Sequence, residues 1–249
     1  MPETLITRGI VLRAVATGEA DRVVTLLGRT TGRISAMARN ARKSSKRFGG
    51  GLGLGATGEA TLRERPGAEL ASFESFEVMR GRHQLGADLG ATAHAGYAAE
   101  LCEQLCAPRQ ADPDLYDWLE GFLDALDERG PSASRLRAFE LGLLQRLGFG
   151  SDFASCVACG RRDLGDEAVR LEPERGGVTC AGCARRGTPV AGPVRQALVT
   201  LGAASLAQAE ALPLGKDINQ ACRGAISELF APHLVRPLKS LEFLRKLQG

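Results

Sequence analysis

The chain has 249 residues, of which 44% are hydrophobic and 24% charged, and its formal net charge is +3. That balance suits a globular chain with its own apolar cores and excludes a disordered or collagen-like one. No apolar run approaches the roughly 18 residues of a membrane-spanning helix, so no transmembrane segment is expected.

The first 80 residues read as strands. Thr7–Val15, Arg22–Leu27 and Arg33–Ala38 are rich in Val, Ile, Leu and Thr, and the turn residues Thr17-Gly18-Glu19 and Thr30-Thr31-Gly32 separate them. Gly58–Glu64 and Glu69–Val78 read as a further hairpin joined at Pro66-Gly67. Five short strands in this length suit a small closed barrel, and an OB-fold is the leading candidate. The same stretch holds 13 Lys and Arg against 8 Asp and Glu, a net of +5, whereas the remainder is at −2. Such asymmetry points to a polyanion-binding N-terminal part on a different kind of scaffold.

From residue 81 the pattern turns helical. Leu89–Leu105 is Ala-rich with apolar residues three and four apart, and Asp112–Leu126 opens on an Asp-Pro start signal. Ser134–Leu147 carries Leu136, Phe139, Leu143, Leu144 and Leu147 on one stripe and stops at Gly148. After a cysteine-bearing segment, Val194–Leu201, Ser205–Ala211, Lys216–Leu234 and Ser240–Leu247 read as helices. The expected class is α+β and multidomain. Residues 1–80 form the barrel, 81–150 with 190–249 an all-helical domain, and 151–189 an inserted four-cysteine module.

That module carries Cys156-x2-Cys159 and Cys180-x2-Cys183, two pairs separated by 20 residues. The spacing matches a four-thiolate zinc site, in which each CxxC turn offers two sulfurs to one tetrahedral ion. Four cysteines leave no open coordination position, so one zinc ion would be structural. Two disulfides are the competing arrangement. The seven cysteines are an odd number, and the N-terminus lacks a basic segment followed by a long apolar one. Both features point to a reducing cytoplasm.

Arg39, Arg42, Lys43, Lys46 and Arg47 place five cations within nine residues, with serines between them and Gly49-Gly-Gly51 after them. Such a run suits a mobile loop tracking phosphates, because Arg forks onto phosphate oxygens and Lys supplies a compact charge. Arg13, Arg22 and Arg33 on the flanking strands join it as candidate DNA contacts, and Arg8 and Arg29 add to the local charge. No rigid helix is aimed at base edges, so sequence-specific readout is not expected. Gly53-Leu-Gly55-Ala-Thr-Gly58 spells GxGxxG, yet a strand-like TLRER follows it, so the dinucleotide reading fails. Cys102, Cys106 and Cys222 read as small core residues. His83, His94 and His233 have no nucleophile nearby in sequence, and Asp112, Asp114, Asp117 and Glu120 read as a solvated helix face. No catalytic constellation is present, and the chain is not expected to be an enzyme.

Several blocks together resemble the bacterial RecO family of recombinational DNA-repair mediators. Gly9-Ile-Val-Leu-Arg13, Gly18-Glu-Ala-Asp21-Arg22-Val-Val-Thr-Leu-Leu27 and Gly32-Arg33-Ile-Ser are similar to the family's opening barrel. Tyr97-Ala-Ala-Glu100-Leu101 looks like its first long helix. The most specific block runs from Phe139-Glu140 through Leu147-Gly148-Phe149 into Cys156-x2-Cys159-Gly160. Gly176-Gly177-Val-Thr-Cys180 and Arg236-Pro237-Leu238-Lys239-Ser240 complete it. The resemblance implies an N-terminal OB-fold, a helical C-terminal domain and a zinc-binding insertion. It also implies binding of single- and double-stranded DNA and annealing of complementary strands without ATP. The partners it implies are RecR, the single-stranded DNA-binding protein and, indirectly, RecA, in a cytoplasmic, nucleoid-associated setting without a membrane. The expected barrel has Phe48, Phe73 and Phe76 but no Tyr or Trp, so charge rather than base stacking should dominate. The alternative is an adaptor whose helical domain docks partner proteins with only incidental DNA contact.

Overall fold

The computed structural model describes residues 3–49, 51–64, 67 and 70–248, without the side chains of Ser45, Arg245, Leu247 and Gln248. Gly50, Pro66 of the expected Pro66-Gly67 turn and Glu69 of the last expected strand lie outside the described residues. In chain order the elements are β1 (Glu3–Thr17), β2 (Asp21–Gly28), β3 (Gly32–Ala38), α1 (Ser45–Phe48), β4 (Thr57–Glu64) and β5 (Ala71–Arg80). Three helices follow, α2 (His83–Ala87), α3 (Leu89–Leu105) and α4 (Pro113–Arg129). Then come α5 (Ala133–Arg146), β6 (Asp152–Cys156), β7 (Val169–Glu172), β8 (Gly177–Thr179) and β9 (Thr188–Val190). The chain ends with α6 (Gly192–Ala203), α7 (Leu206–Glu210), α8 (Lys216–Phe230) and α9 (Lys239–Gln248). It forms two compact units, one of Met1–Gly130 with Arg236–Gly249, the other of Pro131–Val235.

In the first unit the five strands close on themselves in the order β1-β2-β3-β5-β4. The long β1 makes closure possible: its first half pairs with β4 and its second half with β2, with a shift of register between Val11 and Arg13. An irregularity of this kind bends a strand so that it can serve two neighbours. A short parallel contact of Ala36 with Ala71 and Met37 with Ser72 completes the ring. Period-2 alternation is plainest in β3, which turns Ile34, Ala36 and Ala38 inward and Arg33, Ser35 and Met37 outward. Val11, Val24, Leu26, Ile34, Leu62, Phe73 and Phe76 fill the interior. Gly58, the last residue of the GxGxxG match, lies in β4, where an added Cβ would come within 2.3 Å of the Glu77 carbonyl oxygen. Its glycine serves close strand pairing rather than a nucleotide.

Helices α2 to α4 belong to the barrel's unit, and ion pairs tie α3 and α4 to it. Arg8 pairs with Glu120 at 2.7 Å, Arg13 with Glu103 at 2.9 Å and Arg29 with Asp117 at 2.9 Å. Arg80 and Arg82 share Asp124, and Arg109 pairs with Glu64. The helix face expected to be merely solvated therefore holds the carboxylates that meet barrel arginines. Asp112 instead caps α4, accepting the Leu115 N–H at 2.9 Å. The segment between α3 and α4 crosses β3 at Gly32 and Arg33: the Arg109 N–H donates to the Arg33 carbonyl at 3.0 Å, and Arg33 Nε donates to the Cys106 carbonyl at 2.8 Å.

The second unit is helical around a small sheet of order β6-β8-β7-β9, whose four short strands have no counterpart in the sequence reading. Strands of three to five residues carry too little alternation to be seen. At its centre, α5 departs from its expected single stripe, because Arg135, Arg137 and Glu140 are buried together with the apolar residues. Arg137 and Glu140, each 1% exposed, form an ion pair at 2.9 Å, and Arg135 reaches Glu210 at 2.7 Å. These charges are paired inside the unit, which is the condition under which burying them is tolerable. Cys222 is buried beside them, as Cys102 and Cys106 are in the first unit.

Candidate nucleic-acid interface and candidate metal centre

The cation cluster lies between β3 and the end of α1, on a segment held by its own backbone bonds. Asn40 adopts a left-handed conformation, and its N–H donates to Asp21 Oδ1 at 2.7 Å. The Lys43 and Ser44 N–H groups return to the Asn40 carbonyl at 3.0 Å, and the Arg42 N–H reaches the Ala20 carbonyl at 3.1 Å. Phe48 anchors the segment. It is 1% exposed and packs edge-on against Phe73 with ring centres 5.5 Å apart, while Phe73 meets Phe76 at 5.9 Å. Burial of an aromatic ring of this size contributes on the order of 2–3 kcal/mol, enough to fix a short loop. The loop is thus a turn with backbone hydrogen bonds at its start and the Phe48 ring as an anchor at its end.

Within it the cations differ in what they do. Arg47 donates to the Arg39 carbonyl and, at 3.3 Å, to Ser44 Oγ, and its guanidinium lies 5.0 Å from the centre of the Phe48 ring. It braces the turn. Arg39, Arg42, Lys43 and Lys46 are exposed and meet no carboxylate among the described residues, Arg42 donating only to the Glu19 carbonyl at 3.1 Å. Arg22 pairs across the sheet with Ala38, at the mouth of this loop. The structure separates the other two candidates from this group. Arg33 stands at the far end of the same hairpin, opposite Leu27, and is bonded to Cys106; Arg13 is paired with Glu103.

Arg63 escaped the sequence reading. It is exposed on β4 and aligned with Ser72, which is itself aligned with Met37, so it stands two strands from the residue that leads into Ala38 and Arg39. Two strand spacings amount to about 10 Å. The signal was the alternation of Leu62 inward and Arg63 outward. The three phenylalanines are all inside, so no described barrel residue offers an aromatic face to a base. The histidines have structural surroundings: His94 Nδ1 donates to the Gly90 carbonyl at 2.8 Å, and His233 stacks on Phe149 at 3.6 Å.

The four module cysteines meet. Their sulfurs all lie within 4.8 Å of one another, with Cys159 and Cys180 4.0 Å apart. Sulfurs about 2.3 Å from a central ion form a tetrahedron with edges of about 3.8 Å, so a contraction of less than an ångström seats the ion. Each knuckle is a hydrogen-bonded turn: the Gly160 N–H returns to the Cys156 carbonyl at 2.8 Å, and those of Cys183 and Ala184 to the Cys180 carbonyl. Burial opposes ionisation of Cys156, but N–H groups of Cys180, Ala158 and Cys159 outweigh it and pull the thiol down to about 6. Cys183 moves up to about 12 because the Cys180 and Cys159 sulfurs, and then burial, favour its protonated form. The surroundings thus favour the thiolate of Cys156 and the protonated form of Cys183, and a divalent cation, which binds thiolates, would favour the deprotonated form of both. The donor set fits a metal ion.

Comparison with known proteins places the chain in a family. The model of the recombination protein O N-terminal domain matches residues 1–82, and that of the recombination protein O C-terminal domain matches residues 86–242. The DNA repair protein RecO of Anaeromyxobacter sp. (strain K) is 42% identical over 242 residues, covering 96% of this chain and 95% of its own. That of Geobacter sulfurreducens is 37% identical over 241 residues, and that of Myxococcus xanthus 34% over 239, each with 96% of both chains covered. On this evidence the chain belongs to the recombination protein O family.

Proposed function

We propose that the protein is a DNA-repair and recombination mediator that binds single- and double-stranded DNA without sequence specificity and anneals complementary strands without ATP. In this reading it assists the loading of RecA together with RecR and the single-stranded DNA-binding protein. It works in the cytoplasm at the nucleoid; no helix among the described residues is long and apolar enough to cross a membrane. The names its relatives carry are those of a recombination protein and a DNA repair protein.

One observation carries the reading. Four exposed cations, Arg39, Arg42, Lys43 and Lys46, stand on a pinned turn with no carboxylate partner among the described residues, beside a barrel whose aromatics are all inside. Such a surface suits phosphates and offers nothing to bases. Two complementary strands repel through their phosphates, and a cationic surface reduces that repulsion while leaving base edges free to pair. By role, the barrel (1–80) is an OB-fold that binds DNA, the helical part (81–150 and 190–249) receives partners, and the insertion (151–189) is held by one structural zinc ion on Cys156, Cys159, Cys180 and Cys183. This division cuts across the two compact units because α2 to α4 brace the barrel.

A mobility-shift titration of the full chain alone tests the reading, since a pure adaptor leaves bare DNA unshifted. Replacing Arg39, Arg42, Lys43 and Lys46 with Ala should weaken binding to every sequence alike. It should also flatten the plot of log affinity against log salt by about 3 units for single strands. Unchanged affinity and slope in this variant would refute the loop as the interface.

A further inference from the structure

The two metal-binding knuckles repeat more than their cysteines. Cys156-Val-Ala-Cys159-Gly160-Arg161-Arg162 and Cys180-Ala-Gly-Cys183-Ala184-Arg185-Arg186 share one seven-residue pattern, in which an arginine pair follows each CxxC after a single small residue. Metal binding requires the cysteines and a small residue for the turn, not the arginines. In space the two copies converge. The strands that lead into them, β6 and β8, are parallel neighbours, with Cys156 aligned to Val178, so both knuckles leave the sheet in the same direction. The four sulfurs lie within 4.8 Å of one another, and the arginines follow the last cysteine of each knuckle by two or three residues, a reach of at most about 11 Å, so both arginine pairs flank one cluster.

The four arginines divide into two kinds. Arg161 pairs with Glu167. Arg186 reaches Glu174 at 3.2 Å and Glu172 at 3.9 Å. The guanidinium groups of Arg162 and Arg185 are exposed and make no hydrogen bond or ion pair with any described residue, Arg162 adding only a minor share to the field on Asp152. One unengaged arginine therefore remains on each knuckle, at the second arginine of the first pair and the first of the second.

We propose that Arg162 and Arg185 form a second phosphate-binding patch, in the second unit, which holds a second stretch of single-stranded nucleic acid. The proposal rests on the DNA-binding reading above and deepens it. Annealing needs two strands held at once, and a chain with one cationic loop must crowd both onto it or use two copies of itself. A patch in each unit lets one chain carry both strands. Arginine suits the task because its planar fork matches phosphate oxygens two at a time.

The test compares the zinc-loaded full chain with Arg162→Ala/Arg185→Ala and Arg162→Lys/Arg185→Lys variants. Zinc content and thermal unfolding are the folding controls; should the alanine variant lose zinc, an Arg162→Gln/Arg185→Gln variant replaces it under the same criteria. Fluorescence anisotropy of one labelled oligothymidine should show less than a threefold loss of affinity in the alanine variant. Annealing of two labelled complementary oligonucleotides, followed by energy transfer, should slow about tenfold, and the lysine variant should recover most of that rate. Annealing at the wild-type rate by the alanine variant, while the wild type binds the oligonucleotide, overturns the second patch and leaves the loop interface standing. A wild type that binds no oligonucleotide overturns the DNA-binding reading itself.

Discussion

Replacing Glu100 with Gln should undo the docking of the last helix. Glu100 lies on α3, and its carboxylate takes four donors from the start of α9 and the segment before it. Oε1 accepts the Lys239 N–H at 3.2 Å and Arg236 at 3.3 Å, while Oε2 accepts the Ser240 N–H at 2.8 Å and the Ser240 hydroxyl at 2.6 Å. It thus acts as the cap of α9, where an anion also meets the positive end of the helix dipole. Two of the blocks that resemble the RecO family, Tyr97–Leu101 and Arg236–Ser240, are therefore two halves of one contact. Gln has a single acceptor oxygen, so at least two of the four donors lose their partner and the rest face a neutral group. Charged hydrogen bonds contribute about 1.5–3 kcal/mol each, and they are not additive when they share one group. A total loss of about 2–3 kcal/mol follows, equivalent to about 5–10 °C in the unfolding of a unit this large.

The same contact sets a pH dependence. Burial alone would raise the Glu100 pKa, but the Ser240 hydroxyl, the Ser240 and Lys239 N–H groups and Arg236 outweigh it and hold it below the usual carboxylate range. A group whose pKa is depressed on folding stabilises the fold above its unfolded value, about 4.3 for Glu, and that stability is lost as pH falls through the folded value. The gap between wild type and Glu100→Gln should therefore be full at pH 7 and close as the pH falls below about 4. Thermal unfolding with amide exchange across α9 measures both effects. A melting point within about 1 °C of wild type at pH 7, with α9 amides no less protected, would refute the capping role.

Gly32 has φ of 68°, and an added Cβ would sit 2.2 Å from the Gln110 carbonyl oxygen, so Gly32→Ala should destabilise the first unit by more than about 2 kcal/mol in denaturant titration. Cys159→Ser should lower bound zinc, read by elemental analysis, and should lower the stability of the second unit, because metal affinity is coupled to folding. Arg137→Ala removes the guanidinium paired with the buried Glu140 and should cost about 3–5 kcal/mol, whereas Arg137→Met with Glu140→Met should cost far less.

Much of the fold was legible because it is written in local patterns. Strand-forming runs bounded by turn residues located all five barrel strands, and α3 appeared with the bounds read from Ala and Leu spacing. The cysteine spacing placed four sulfurs together without any knowledge of the strands between them. What escaped depends on partners distant in sequence. Nothing near Arg137 announces that Glu140 will be buried with it, because an i,i+3 pair on an exposed helix looks the same. The four module strands are too short for periodicity, and α1 is visible only through the Phe48 anchor it presents to Phe73 and Phe76. Arg63 was missed because it lies in a stretch of mixed charge with Glu59, Glu64 and Arg65, and only the register of β4, β5 and β3 brings it toward the loop.

Charge makes the same point with consequences for function. Counting along the chain credits the first 80 residues with a net of +5, as though the barrel were positive all over. In the fold, the carboxylates that meet Arg8, Arg13, Arg29, Arg80 and Arg82 come from Glu103, Asp117, Glu120 and Asp124, all beyond residue 80. Those arginines fasten the barrel to α3 and α4, and their field is largely cancelled at short range. The surplus is left at one end of the β2–β3 hairpin, on Arg22, Arg39, Arg42, Lys43 and Lys46, with Arg63 two strands away. A cationic surface confined to one end can follow a single flexible strand for a few phosphates, but it cannot line a long duplex track. The salt dependence of binding at the loop should therefore saturate with short oligonucleotides, because strand beyond the cluster adds no phosphate contacts there.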